Sequence, residues 1–192
     1  IPQDYQNVAK VLRLNRGEAG LVIATGPASG EYARFIEALR PRGVDWAVLQ
    51  ANTAGSVANA LMLDAGEARF ALVQSDVAAA AVTGQGAFAD SGPLRHLRAV
   101  AALFPEPVHV VVRRDAGLVE FADLAGKRIG IGSRGSGTRH TALQVLRAHG
   151  EQARKLDIDR VGFIEAVTAA RTEGAKVAAE HGKPQAFGDA FG

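Results

Sequence analysis

Short apolar runs that alternate with amphipathic stretches restrict the fold of this chain more than any other feature of its sequence. Residues 21–24 (LVIA) form an apolar run, residues 25–30 (TGPASG) are turn-forming, and a helical pattern follows until Pro41. The same order of apolar run, polar exit loop and helical pattern begins again at Trp46 and at Phe70. Strands that alternate with helices in this way predict an α/β fold, in which helices cover a largely parallel sheet.

The spacing of apolar residues also gives approximate bounds for each predicted element. Two strand-like runs, residues 97–104 and 108–112, have no helix between them and are separated by Pro105 and Pro107. We interpret these prolines as a hinge or crossover between two lobes. Strands are predicted at residues 21–24, 46–50, 70–73 and 127–131, with a remnant at 184–191, and helices at 3–16, 32–39, 57–65, 77–82, 118–124, 139–149 and 164–179.

The length of 192 residues suits one ordinary domain or two small lobes. We predict a lead-in helix within residues 1–18, a first α/β lobe at 19–106 and a second α/β lobe at 107–192. The sequence starts at Ile1, and residues 1–18 lack the apolar core of a signal peptide. We therefore interpret the start as a mature or trimmed end.

Composition excludes several classes of protein. The longest apolar runs fall far short of the roughly 18 residues that a membrane span needs, so we expect a soluble globular protein. A net charge of +2 is too balanced to indicate nucleic-acid binding, and the sparse aromatic residues do not interleave with basic ones. Residues 95–154 carry 10 basic and 5 acidic side chains, which suits an anionic ligand or a solvated face equally well. Without cysteine there is no disulfide, thiolate nucleophile or cysteine-ligated metal.

Three loops that mix glycine with serine or threonine each follow a predicted strand and precede a helix: residues 25–32, 52–56 and 132–138. In an α/β sheet, ligands bind at the carboxyl ends of the strands, where helix starts offer unpaired N–H groups and the positive end of the dipole. A carboxylate or phosphate would bind there without enzyme chemistry. One such loop alone is explained by turns and helix caps, but three together favour an anion site.

The segment GIGSRG at residues 130–135 matches the dinucleotide fingerprint by its letters and follows a predicted strand. Glu151 has the offset of the acid that the fingerprint requires, but no apolar strand leads into it. The sequence also does not match the phosphate-binding loop of nucleotide hydrolases, because Ser136 stands after Gly135 where that motif requires a lysine. A nucleotide-dependent enzyme that uses residues 130–135 is therefore an alternative of another class.

Catalytic and metal-binding patterns are absent from the sequence. No serine stands in a GxSxG motif, and the five histidines show no paired spacing that indicates a metal. Nothing places a base beside a nucleophile. We therefore predict a protein that is not an enzyme, with no catalytic residues, no metal and no cofactor.

Several segments resemble the TAXI family, the extracytoplasmic solute-binding proteins associated with TRAP transporters. The resemblance is carried by AGEARFALVQSDV at residues 65–77, LRAVAALFPEPVH at 97–109, LAGKRIGIG at 124–132 and GSGT at 135–138, and it spans roughly residues 20–150. It implies a type II periplasmic-binding-protein fold, in which two α/β lobes with mainly parallel sheets enclose a ligand cleft. It also implies a periplasmic protein, made as a precursor with a signal peptide, that delivers its ligand to a TRAP-type membrane permease.

The ligand that the resemblance implies is a small organic anion, either an amino acid such as glutamate or a dicarboxylate or keto acid. The residues implied to bind it are Ser29, Gly30 and Tyr32 in the first loop, Thr53, Gly55 and Ser56 in the second, Gln74 and Ser75 in the third, and Ser136, Gly137 and Thr138 in the second lobe.

The sequence departs from the family pattern in two respects. Pro27 and Glu31 intrude on the first loop, and an acid at the mouth disfavours an anion unless Glu31 points outward or binds an ammonium group. Family members are about twice one domain in length. We therefore expect an incomplete second lobe, whose exposed apolar surface a partner or a second copy would cover.

Two further functions remain open for a chain of this fold. The lead-in helix could continue upstream into a membrane anchor, which would make the chain the ligand-sensing domain of a membrane receptor. The fold also recurs in cytoplasmic effector-binding domains, although no pair of DNA-binding helices is visible.

Overall fold

The computed structural model describes residues 21–39, 48–125 and 127–149, together with the backbone of a strand at 157–159. The predicted lead-in helix, the helix at 164–179 and the strand remnant at 184–191 lie outside the described residues.

A parallel sheet organises the first part of the described chain. Strand β1 (Leu21–Gly26) lies between β2 (Val48–Asn52) and β3 (Phe70–Ala71), and both neighbours run parallel to it. Residues 21 to 24 of β1 pair in register with residues 48 to 51 of β2. The three predicted strands are thus confirmed, and their carboxyl ends meet at one edge of the sheet.

Four helices follow the predicted pattern. They are α1 (Glu31–Leu39), α2 (Ser56–Asp64), α3 (Ser75–Thr83) and α4 (Gly137–Ala148). Each begins within two residues of its predicted start, and the α/β class with parallel strands is confirmed.

Two apolar clusters make up the core of this part of the chain. The first joins the buried face of α1, with Phe35, Ile36 and Leu39, to Leu21 and Ile23 of β1. The second joins α2 and α3, and its members are Val57, Ala60, Val77, Ala80, Ala81, Phe88 and Leu94. Full burial of each large side chain contributes about 1.5–3 kcal/mol, so these clusters hold the starts of α1, α2 and α3 in fixed positions.

The chain divides into two compact units. The described residues of the first unit are 21–39, 48–108 and 133–148, and those of the second are 109–125, 127–132, 149 and the strand at 157–159. The chain leaves the first unit close to the predicted boundary at residue 106, and residues 133–148 belong to the first unit again. The two lobes at residues 19–106 and 107–192 stay a prediction.

The second unit contains a parallel pair of strands, β4 (Arg128–Gly130) and β5 (Asp157–Asp159). Strand β4 was predicted, and β5 was not, because its sequence Asp-Ile-Asp has no apolar run. Its backbone nonetheless pairs with β4 over three residues. The helical turn predicted at 118–124 is a 3₁₀ turn at Phe121–Leu124.

The interpretation of residues 97–104 and 108–112 as strand-like runs is wrong. Neither segment is a strand, and Val108, Val110 and Val111 each expose about 60% of their surface. β-branched residues favour strands only where a neighbouring strand pairs with them, and among the described residues none does.

Candidate functional site

The glycine-rich loop at residues 132–136 caps helix α2. The carbonyl oxygen of Gly135 accepts hydrogen bonds from the N–H groups of Val57 (3.1 Å) and Ala58 (3.0 Å), in the first turn of α2. A Cβ atom on Gly135 would come within 3.2 Å of Ala54 Cβ, so the close approach requires glycine. Two of the predicted site loops therefore lie against each other within the first unit.

The start of α4 contacts the loop that precedes α3. A Cβ atom added at Gly137 would overlap Gln74 Oε1 and would lie 2.9 Å from Ser56 Oγ. The backbone N–H of Gln74 donates to Ser56 Oγ at 3.1 Å. Three of the four predicted loops thus meet at Ser56, Gln74 and Gly137, and only the small size of Gly137 permits this packing.

Tyr32 of α1 extends the cluster toward residue 106. Its hydroxyl oxygen lies 3.5 Å from Ser56 Oγ and donates to Glu106 Oε2 at 3.0 Å. Burial raises the pKa of Tyr32, and the negative charge of Glu106 adds to that rise. The phenol therefore keeps its proton and acts as a donor at neutral pH.

Glu106 is a carboxylate within this cluster. Burial raises the pKa of Glu106, and hydrogen bonds from the side chains of Tyr32 and Gln74 oppose the rise, while the nearby charge of Asp76 adds to it. Phe104 anchors this segment by packing on Tyr32 and Phe35, with ring centroids 6.3 and 5.9 Å apart. The position of Glu106 thus follows from an aromatic contact two residues earlier.

Asp76 is engaged in holding two helices together. Its Oδ1 accepts from the N–H of Val77 at 2.8 Å, and its Oδ2 accepts from Thr141 Oγ1 at 2.6 Å. Both oxygens therefore have donors from the protein, and Asp76 fixes α4 against the start of α3.

Several polar groups around these loops have no partner among the described residues. The side-chain atoms Thr25 Oγ1, Gln74 Oε1 and Arg139 Nη1 are buried and unpaired. In the first turn of α4, the N–H groups of Arg139 and His140 donate to Ser136, and no described group accepts from those of Gly137 and Thr138. Buried polar atoms are normally paired, so the unpaired Gln74 Oε1 against Gly137 makes the start of α4 the candidate site.

A family model for the NMT1-like family matches residues 23–186. The chain belongs to the NMT1-like family. NMT1-like proteins have a periplasmic-binding-protein-like fold, and they are substrate-binding proteins rather than enzymes, typically extracytoplasmic. Among the described residues, the match includes helices α1 to α4 and strands β1 to β5, except the first two residues of β1. The match to the NMT1-like family therefore covers the candidate site.

The other residues predicted for the ligand site of this NMT1-like chain have different surroundings. Ser29, Ser75 and Thr138 are exposed, and Gly30 closes a turn by donating to the carbonyl of Pro27 at 2.9 Å. No described contact joins Ser29 or Gly30 to the cluster around Gly137.

Two predicted site hydroxyls are engaged in structural bonds. Thr53 Oγ1 accepts from the N–H of Gly55 at 3.1 Å and donates to the buried Asn59 Oδ1. Ser136 Oγ donates to the carbonyl of Ser133 at 2.8 Å and accepts from the N–H of Arg139 at 3.1 Å. Ser136 therefore acts as the cap of α4, and its predicted role as a ligand donor is not needed to explain its place.

Glu31, which the sequence places at the mouth of the first loop, forms an exposed pair with Arg34 at 3.6 Å. The acid at the start of α1 lies in the favourable end of the helix dipole and is neutralised by a neighbour one turn away. The acidic residue that the structure brings to Tyr32 is Glu106 instead.

Sequence reasoning missed Glu106, Asn59 and Arg139. Asn59 is fully buried, and its Nδ2 donates to the carbonyl of Leu72 at 2.7 Å. An amide on the apolar face of a helix was the signal for Asn59, and an acid between two prolines was the signal for Glu106. No local signal identifies Arg139.

The described residues contain no group of three histidine, aspartate or glutamate side chains arranged for a metal ion. No helix in the described part of the chain has the length and apolar character to cross a membrane.

Proposed function

We propose that this NMT1-like protein is an extracytoplasmic solute-binding protein that captures a small organic anion at the start of α4. The observation that carries the proposal is the pair of N–H groups at Gly137 and Thr138 that have no acceptor among the described residues, beside the buried Gln74 Oε1, which has no donor among them.

The start of α4 suits a carboxylate for two physical reasons. Unpaired N–H groups point away from the first turn of a helix, and the dipole of a 12-residue helix adds positive potential there. The exposed hydroxyl of Thr138 supplies a further donor.

The partner that we propose is a TRAP-type membrane permease, and the ligand class is an amino acid such as glutamate, or a dicarboxylate or keto acid. Both are supported by the resemblance of residues 65–77 and 97–109 to TAXI proteins, and the NMT1-like family supports a small-molecule ligand in general. The predicted site residues enter the proposal in two groups: Tyr32, Ser56, Gln74, Gly137 and Thr138 would line the ligand, while Thr53, Gly55 and Ser136 would shape the loops.

Thermal melts against a ligand panel test the proposal. The panel contains glutamate, glutamine, 2-oxoglutarate, succinate, malate, phosphate, NAD and ATP. A ligand at about 100 times its Kd adds about 2.7 kcal/mol, which raises the Tm of a chain of this size by roughly 5–11 °C.

The matched control for these melts is Gly137→Ala, whose methyl group displaces Gln74 and narrows the approach to the start of α4. We expect an organic acid to raise the Tm of the wild-type protein and to raise that of the variant much less. A shift with NAD or ATP alone would overturn the proposal in favour of a nucleotide-dependent protein, and an equal shift in the variant would remove the site from α4.

A further inference from the structure

We propose that residues 108–112 (VHVVV) are a self-association surface, at which two copies of this chain pair antiparallel about a two-fold axis through Val110. The second copy supplies the pairing strand that this segment lacks among the described residues. The interface goes beyond the proposed ligand binding and does not depend on it.

The segment presents apolar side chains together with an unpaired backbone. Val108, Val110 and Val111 each expose 60–62% of their surface, and Val112 exposes 39%. Residues 108–112 lie in no helix, turn or strand, and no described group forms a hydrogen bond with their backbone. β-branched residues pack well in paired strands, and an unpaired strand edge is a template for pairing with another chain.

The two prolines of this region fit a pairing register centred on Val110. Along an antiparallel pair, residues alternate between hydrogen-bonded and non-hydrogen-bonded positions. When Val110 exchanges hydrogen bonds with Val110 of the second copy, residues 108 and 112 are hydrogen-bonded as well, and Pro105 and Pro107 fall at non-hydrogen-bonded positions. Proline has no N–H group, so it costs no hydrogen bond at these positions.

Side-chain pairing and charge favour the same register. With Val110 on the axis, Val108 lies opposite Val112 of the second copy, and Glu106 lies opposite Arg114 of the second copy. Residues two apart share one face of a strand, so the valines at 108, 110 and 112 of both copies form a single apolar face. The symmetry produces the contact between Glu106 and Arg114 twice, and opposite charges at opposed positions stabilise paired strands.

Neighbouring registers lose this charge contact. A two-fold interface uses the same residues on both copies, so the residue on its axis pairs with itself. An axis through His109 would place Glu106 opposite Val112 of the second copy, and an axis through Val111 would place it opposite Ala116. Of these three axes, the one through Val110 alone opposes the acid to a base.

Sedimentation velocity over a range of protein concentrations tests the surface in the wild-type protein and in Val110→Lys. This substitution places two ammonium groups opposite each other on the axis, and like charges directly opposite destabilise paired strands. The matched control is Val119→Lys, at a valine outside the segment that exposes 94% of its surface.

We expect the wild-type protein and Val119→Lys to form the same dimer, and Val110→Lys to raise the dimer Kd at least tenfold. A wild-type protein that stays monomeric up to its solubility limit would overturn the proposal, and the segment would then have another occupant. Equal dimerisation of Val110→Lys and the wild-type protein would overturn it as well.

Exchanging the two charges tests the register. Glu106→Arg and Arg114→Glu should each weaken the dimer about tenfold, and the double variant should recover the wild-type Kd. Glu106→Arg also removes the acceptor of the Tyr32 hydroxyl at 3.0 Å, so recovery in the double variant is the result that identifies the charge contact. A double variant as weak as the two single variants would overturn the pairing about Val110.

A single introduced cysteine gives a second measurement of the register, because the sequence contains no other cysteine. Hydrogen-bonded pairs of antiparallel strands have Cα atoms about 5.5 Å apart, which lies within the range that a disulfide spans. Val110→Cys should therefore form a disulfide-linked dimer under mild oxidation, and Val119→Cys should not. Equal cross-linking of the two variants would overturn the proposal.

Discussion

Replacing Asn59 by alanine removes a fully buried side chain that links two loops of the site. Its Nδ2 donates to the carbonyl of Leu72 at 2.7 Å, and its Oδ1 accepts from the hydroxyl of Thr53. Leu72 leads directly to Gln74, and Thr53 holds the N–H of Gly55 at 3.1 Å. The substitution therefore loosens the second and third loops at the same time.

The size of the effect follows from these bonds. Asn59 exposes none of its surface, so water cannot replace either bond. Each buried partner left unpaired costs about 1–3 kcal/mol, and the better helix propensity of alanine returns at most about 0.7 kcal/mol. We expect Asn59→Ala to lower the free energy of unfolding by about 2–4 kcal/mol, which lowers the Tm of a chain of this size by roughly 4–16 °C.

Urea unfolding followed by circular dichroism measures this free energy. Val82→Ala is the control, because Val82 lies on α3 with 52% of its surface exposed and should change the free energy of unfolding by less than about 0.5 kcal/mol. If Asn59→Ala unfolds within about 0.5 kcal/mol of the wild-type protein, the argument that Asn59 ties the loops together is refuted.

Three further predictions concern caps and titrating groups. Ser136→Ala should lower the free energy of unfolding by about 0.5–2 kcal/mol in urea melts, since it removes the cap of α4, whereas Thr138→Ala at an exposed position should leave it within about 0.5 kcal/mol. Two backbone N–H groups lower the pKa of Asp123 in the folded protein. Its ionised form therefore stabilises the fold above the ordinary pKa of 3.8, and this contribution is lost as the pH falls through the lower pKa of the folded state. The urea midpoints of the wild-type protein and of Asp123→Asn should converge in that acidic range. Burial raises the pKa of Glu106 above its ordinary value of 4.5. The contribution of Glu106 to the free energy of unfolding therefore becomes more favourable to the folded state as the pH falls from neutral toward 4.5. The urea midpoint of Glu106→Gln should lack this part of the pH dependence.

The sequence predicted the elements whose signal is local. Apolar periodicity identified β1 and α1, because both bury one regular set of side chains in the core. Strand β5 escaped prediction because the backbone pairing that creates it is not visible in the letters Asp-Ile-Asp. The valines at 108–112 misled in the opposite direction, since strand propensity without a pairing strand does not make a strand.

The sequence predicted which loops form the candidate site, but it did not predict the contacts between them. Glycine and hydroxyl residues at helix starts identified Ser56 and Gly137 because their chemistry is local. Glu106 meets Tyr32 across 74 residues of sequence, and Gly135 caps a helix that begins almost 80 residues earlier, so neither contact has a local signature. A hydroxyl pattern alone also could not separate Ser136, which caps α4, from a residue that faces a ligand.

Titration of ¹⁵N-labelled protein with the organic acid that gives the largest thermal shift tests the central claim most directly. The amide signals of Gly137 and Thr138 report on the two N–H groups that have no acceptor among the described residues. If the start of α4 binds the ligand, these two signals should move downfield and saturate with the same Kd as calorimetry gives. Saturating changes confined to residues far from α4, such as Ser29 and Gly30, with Gly137 and Thr138 unmoved, would contradict the account.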